Sequence, residues 1–492
     1  MELNSKKRIS INVISSVLQV GSVGIIYLIV YRILLDKIGI EQLGIWSLIL
    51  ASTSVANLAN FGITSGIVKF VAEYFSKNQI KKIEKVVFTS FFSLTIFFIL
   101  ISLIIYPLSK YFLKHVVDIK YYELALKIVP ISLSSLVISS TSGVFTSVLE
   151  GIQKNYIKNF LVTTSSIVFL IGVIFLTDKY GLEGVAYSQL LQSTFLFLIS
   201  YLFVAFEFKS FLILFSNWSK EIFKQIMGFS LKFQLISMLV LFFDPITKAF
   251  LGKFGGLTFL GYYEMANKLV YQVRALVVNA NQVMIPVLIH SVHSKIDNAK
   301  NLYNTNLKLT FLISLLLMGS LVILTPLISF LWIGELKSEF IYCVPLLTLG
   351  VFINLVSSPA YFASIADGDL KILLKTHIIL TLFNVFLGYL LGSLFEGGFI
   401  IVFTSTFALV ISSAFLIFNF SKKIKKKKIL SLNNIISFII AIFLCIISFF
   451  CMNWILKSKI ELVLVILTTI IVLAFFYFIL LRIDRKLIKK IF

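Results

Sequence analysis

Runs of apolar residues, each long enough to cross a bilayer, alternate with short polar breaks along almost the whole chain. A span takes about 20 mainly apolar residues, and roughly fourteen segments meet that length. They lie near 9–34, 43–68, 86–106, 124–148, 159–177, 183–206, 228–250, 258–289, 306–331, 341–365, 372–394, 397–420, 435–453 and 462–481. Backbone groups in lipid must bond within their own segment, so each run is expected to be a helix. The fold class that follows is an all-α integral membrane protein.

The polar breaks carry a second regularity. Glu150-Gly151-x-x-Lys154-x-x-x-Lys158 recurs 217 residues later as Asp367-Gly368-x-x-Lys371-x-x-x-Lys375, and the same offset carries Gly39, Gly44 and Trp46 onto Gly256, Gly261 and Tyr263, and Gly181 onto Gly398. The chain thus reads as a duplication of two lobes of six helices. Because six is even, the lobes share one orientation and are parallel repeats about an axis along the membrane normal. The expected divisions are a first lobe at 1–208, a linker at 209–227, a second lobe at 228–421, and a basic linker with a C-terminal helix pair at 422–492.

Composition excludes a soluble domain: 59% of the 492 residues are hydrophobic, 13% are charged, and mean hydropathy is +1.00. A net charge of +22 in a soluble chain would suggest a nucleic-acid partner. Here the basic residues sit in short loops, where anionic headgroups are nearer partners. With the N-terminus inside, 27 of the 44 Lys and Arg residues fall in cytoplasmic breaks and nine in outer ones. Both termini are therefore expected in the cytoplasm and the protein in the cell membrane. Trp46, Trp332 and Trp454 fall at outer helix ends and Trp218 in an inner break, as interfacial anchors. The stretch from Lys209 to Gly228 suits a helix lying on the inner leaflet. Cys343, Cys445 and Cys451 show no paired or metal-ligand spacing.

Eight basic residues remain within spans: Arg32, Lys69, Lys127, Lys232, Lys248, Lys268, Arg274 and Lys308. Most lie near a helix end and can snorkel. Lys248, Lys268 and Arg274 instead cluster with two acids in the seventh and eighth spans, where they join polar stripes. Ser230, Gln234, Ser237, Leu241, Asp244 and Lys248 step by three or four along the seventh span, and Glu264, Asn267, Lys268, Tyr271, Arg274, Val278, Asn281 and Gln282 do so along the eighth. Such a stripe faces protein or water rather than lipid. Asp244 with Lys248, and Glu264 with Lys268, are opposite-sign pairs at i,i+4, for which the bland account is that each pair neutralises itself. Arg274 has no acid at helical spacing in its half of the stripe and sits mid-span, which makes it the strongest site candidate.

Milder polar faces appear in the first lobe, at Asn12, Ser15, Ser16, Gln19 and Ser22, and around Asn57, which the repeat places opposite Arg274. Asn and Gln inside such helices serve either as interhelical glue or as cavity lining. Spans one, two, seven and eight are expected to face one central cavity, with a formal charge of three cations against two acids, or +1.

The N-terminal basic cluster, the Gly-x-x-x-x-Gly-x-Trp turn from Gly39 to Trp46, the Asn57-Leu-Ala-Asn60-Phe-Gly62 run and the Glu150-Gly151 break resemble the polysaccharide-transporter or O-antigen flippase family of the MATE-like exporter superfamily. The resemblance implies a V-shaped pair of lobes that opens alternately to each side. Its implied cargo is an undecaprenyl-diphosphate-linked oligosaccharide carried from the inner to the outer leaflet, with glycan-assembly proteins as further partners. A diphosphate needs cations as it crosses, and Arg274, Lys248 and Lys268 can supply them. Asp244 and Glu264 would limit affinity or exchange a proton. No cofactor is expected beyond a coupling H+ or Na+.

Two rival functions compete with this reading. A cation-coupled multidrug exporter on this scaffold should prefer an acidic cavity. A membrane glycosyltransferase or glycan polymerase needs carboxylates in sizeable outer loops, whereas the outer breaks hold only scattered acids such as Asp118, Glu123, Glu335 and Glu339. His115, His290, His293 and His377 form no metal or nucleophile constellation.

Overall fold

A computed structural model describes residues 2–54, 58–208, 218–282, 296–366, 370–423, 471 and 474. These residues form α1 (Glu2–Ser54), α2 (Leu58–Ser76), α3 (Ile80–Val116), α4 (Ile119–Gly151), α5 (Asn155–Phe208), α6 (Lys220–Phe250), α7 (Gly256–Gln282), α8 (Ile296–Ile328), α9 (Ser338–Ala366), α10 (Leu370–Phe395) and α11 (Gly398–Lys423). Single π-helical turns at Leu251–Gly255 and Ser329–Ile333 follow α6 and α8. The described residues contain no strand.

The first twelve predicted spans fall on these helices wherever they are described, those at 43–68 and 258–289 running partly outside the described residues, and of the last two only residues 471 and 474 are described. Among the described residues, eight helices are long and apolar enough to cross a membrane. α5 has 54 residues and breaks at Gly181 (φ 55°, ψ −131°), which at about 20 residues per span is two passes. α1 breaks in the same way at Gly39. The outer surface is apolar: Leu103 is 67% exposed, Phe175 71% and Phe386 64%. That inverts the soluble pattern and suits a lipid solvent. The chain is a multi-pass membrane protein.

Packing divides the chain into two compact units, Met1–Gly261 with Gly392–Gly398, and Tyr262–Leu391 with Phe399–Phe492. In the first, α4 packs on α5, α3 and α2, α1 packs on α5, and α6 lies against α2. In the second, α8 packs on α9, where the Phe311 and Phe352 rings meet edge-on at 5.5 Å.

The offset of 217 is visible in the backbone of the first unit. Gly39 has φ 78° and ψ 171°, and its counterpart Gly256 has φ 79° and ψ 167°, a left-handed turn that side chains disfavour. A few residues on, the two segments cross. A Cβ on Gly44 would stand 2.3 Å from the Leu257 carbonyl oxygen, and one on Gly261 would stand 2.4 Å from that of Ile40. Ile40 and Leu257 are themselves related by 217 residues, so the contact is reciprocal, as a two-fold axis requires.

Three expectations are corrected. Trp46 is 3% exposed and Trp332 9%; both serve the protein interior rather than the membrane interface. Trp46 lies two residues beyond Gly44, and Trp332 meets Phe340 edge-on at 5.9 Å. Trp218 is exposed as expected, and its indole Nε1 donates to Ser93 Oγ at 3.0 Å. The basic stretch after Trp218 is not a separate interfacial helix: residues from Lys220 onward are the first turns of α6. Ser219 caps them by accepting from the Ile222 amide at 3.4 Å, and with no proline or glycine before Gly228 nothing stops the helix.

The polar face of α1 also acquires a definite role. Asn12 Nδ2 donates to the Gln153 carbonyl at 3.2 Å, and its Oδ1 accepts from the Tyr156 amide at 3.2 Å. Asn159 Nδ2 donates to Ser15 Oγ at 2.9 Å and to Ser16 Oγ at 3.0 Å. This end of the face fastens α1 to α5 and the turn before it. Gln19, one turn further along, is half-buried.

Candidate functional site

One of the two expected opposite-sign pairs is seen among the described side chains. On α6, in the first unit, Lys248 Nζ meets Asp244 Oδ2 at 2.9 Å; the lysine side chain is 6% exposed and that of the acid 42%. This is the expected i,i+4 pair, and Pro245 lies inside α6 beside the acid. On α7, in the second unit, Glu264 and Asn267 are buried and Lys268 is half-buried. Asn57, and the side chains of Gln234 and Asn281, lie outside the described residues.

Arg274 is the residue whose surroundings are most informative. It is half-buried on α7. Its Nε and Nη2 donate to Asn354 Oδ1 of α9 at 3.2 and 3.1 Å, and its Cζ lies 5.5 Å from the Tyr271 ring centroid, one turn back on α7. Asn354 Nδ2 continues to Ser413 Oγ of α11 at 3.3 Å. Tyr361, two turns beyond Asn354, lies within the field of the guanidinium.

α9 and α11 approach closely enough for this chain because small side chains meet between them. Gly350 faces Thr406, whose Oγ1 donates to the Leu346 carbonyl at 3.2 Å. Small residues at such a contact let two backbones come together in a membrane.

Neither Asn354 nor Ser413 was a sequence candidate. Each is one hydroxyl or amide among many in apolar helices, and nothing in their spacing relates them to Arg274. The available signal was indirect: a mid-span arginine without an acid at helical spacing needs neutral partners on other helices. Asn354 is such a partner, in a span that is otherwise mainly apolar and small.

Among the described residues no group of His, Cys, Asp and Glu could hold a metal ion. What the Arg274 cluster can do is hold a half-buried cation among neutral partners. In low dielectric a guanidinium with neutral partners attracts an anion far more strongly than it would in water.

Several solved structures have the same fold. A lipid II flippase, MurJ, in an inward closed conformation matches with a TM-score of 0.71 at 16% identity, over 95% of this chain and 99% of that one. A multidrug resistance MATE family transporter of the MOP superfamily, inward-facing, matches at 0.70 and 16%, over 82% and 94%. A MOP superfamily transporter from Pyrococcus furiosus, described as having a binding pocket of reversed polarity, matches at 0.64 and 16%, over 85% and 96%. Comparison with curated protein sequences returns no match. A family model described as polysaccharide biosynthesis protein matches residues 9–292. A family match over more than half its length shows that this chain belongs to the polysaccharide biosynthesis protein family.

Proposed function

We propose that this protein carries a polyprenyl-diphosphate-linked oligosaccharide from the inner to the outer leaflet of the cell membrane, in the assembly of a cell-surface polysaccharide. The observation that carries the reading is Arg274. A charge inside a membrane helix is costly, by roughly 2.5 to 3.5 kcal/mol on insertion scales, and here its described partners are the neutral Asn354 and Tyr271. A cation kept at that cost is explained by an anion that visits it. In a family of polysaccharide biosynthesis proteins, the anion that must cross is the diphosphate of a lipid-linked glycan.

Arg274 offers this group two parallel N–H donors, while Lys248 and Lys268 act as point charges. Both lobes of the repeat would alternate in opening to the two membrane faces, with both termini in the cytoplasm. Asp244 and Glu264 are the groups through which a proton or sodium gradient would be coupled. Anionic lipids contact the basic inner loops, and glycan-assembly proteins supply and receive the cargo.

Deletion of the gene and complementation with Arg274→Ala tests the reading. The variant is expected to insert normally but export no surface glycan, and Arg274→Lys to restore part of the export. Wild-type export by the alanine variant would make the arginine structural. The MATE fold also admits a multidrug exporter, but an arginine without a carboxylate partner repels cationic drugs. Dye efflux conferred by expression would favour that rival.

A further inference from the structure

The guanidinium of Arg274 has two donor edges, and Asn354 occupies one. Nε and Nη2 converge on Asn354 Oδ1 at 3.2 and 3.1 Å, which leaves Nη1 and the second hydrogen of Nη2 on the other edge. Arginine only donates, so the carboxamide must present its oxygen to it. The amide nitrogen then needs an acceptor and finds Ser413 Oγ at 3.3 Å. The arginine thereby decides which way the carboxamide faces, and the Ser413 hydroxyl, which can accept as well as donate, satisfies and anchors its nitrogen.

An aspartate at this place would have held the arginine more strongly, but it would also have cancelled the charge. A carboxamide grips without cancelling. Among the described residues no carboxylate pairs with Arg274; its partners are Asn354 and the Tyr271 ring.

The repeat supplies an independent argument. Stepping Arg274, Asn354 and Ser413 back by 217 gives Asn57, Val137 and Leu196. Where the arginine is missing, both supporting residues are apolar. A hydrogen bond that served only to pack α9 on α11 has no reason to disappear with the arginine, whereas a support dedicated to it does.

We propose that Asn354, anchored by Ser413, is the positioning residue that aims Arg274 at the cargo and, because it is neutral, makes the site selective for an anionic headgroup. The inference rests on Arg274 being the diphosphate contact. It adds that discrimination by charge lies in a second residue that need not touch the cargo.

The test uses the purified full-length chain with farnesyl diphosphate as a soluble prenyl diphosphate probe, and reads binding affinity and melting temperature together. Asn354→Asp is expected to weaken binding by about tenfold or more, since it pairs with the cation and adds a like charge to the anion. Its melting temperature should hold or rise, because the cation gains a charged partner. Asn354→Ala, which frees the guanidinium without neutralising it, is expected to lose only about threefold. A variant deficient merely in packing would show the reverse pattern: lower melting temperature, with Ala at least as damaging as Asp. That result, or wild-type affinity in Asn354→Asp, overturns the proposal. If Asn354→Asp is recovered unfolded, Ser413→Ala decides: a loss of about threefold at unchanged melting temperature supports the proposal, and wild-type affinity overturns it. Loss of binding in Arg274→Ala with retention in Asn354→Asp removes only the role of Asn354. Equal binding by wild type and Arg274→Ala removes the diphosphate reading and this inference with it.

Discussion

Single glycines and a single arginine carry the residue-scale results. The crossing of the two related segments depends on Gly44 and Gly261, since a Cβ on either would stand 2.3 or 2.4 Å from a carbonyl oxygen. Backbone cannot swing aside as a flexible side chain can, so Gly44→Ala and Gly261→Ala must push the segments apart, at about 1 to 3 kcal/mol each. Gly21→Ala is the control. A Cβ there meets nothing within 4 Å, and alanine should be neutral or stabilise α1 by up to about 1 kcal/mol. Melting of the purified variants checks this, and a Gly44→Ala variant as stable as wild type would show slack in the crossing. Arg274 was legible in the sequence because one charge in the middle of an apolar run has few explanations. Asn354 was not, because a short polar side chain in a membrane helix is common and its partner lies 80 residues away.

At the scale of elements, apolar length foretold where helix would be but not what each polar face would do. The α1 face around Asn12, Ser15 and Ser16 admitted two roles, and the structure assigns it to α5 and the turn before it. Asn159→Leu should therefore cost about 1 kcal/mol through the lost interhelical bonds, seen as a lower melting temperature, while export continues. Loss of export at unchanged melting temperature would return this face to a transport role. The linker shows a different limit. Its basic and aromatic composition suits an interfacial helix, but a Ser cap followed by helix-permissive residues is also how a spanning helix begins, and Lys220–Phe250 is one helix. Periodicity alone does not distinguish a helix on the membrane from the first turns of a helix entering it.

At the scale of the whole molecule, the duplication and the membrane set the energetics of transport. An inside-negative potential favours outward movement of an anion by roughly 2.3 kcal/mol per charge at 100 mV. Collapsing the potential and the ion gradients in cells should therefore slow glycan export, and export at an unchanged rate would remove any coupling through Asp244 or Glu264. The chain by itself determined that it is helical, that it crosses the membrane many times and that its halves are related, because these follow from the backbone's need for internal hydrogen bonds in lipid and from a fixed offset in the glycines. The reciprocal meeting of Gly44 with Leu257 and Gly261 with Ile40, and the grip of Asn354 on Arg274 with Ser413 behind it, were decided only by tertiary structure. Such contacts join residues tens to hundreds of positions apart, and local propensity carries no information about which of many chemically similar groups the packing of helices will bring together.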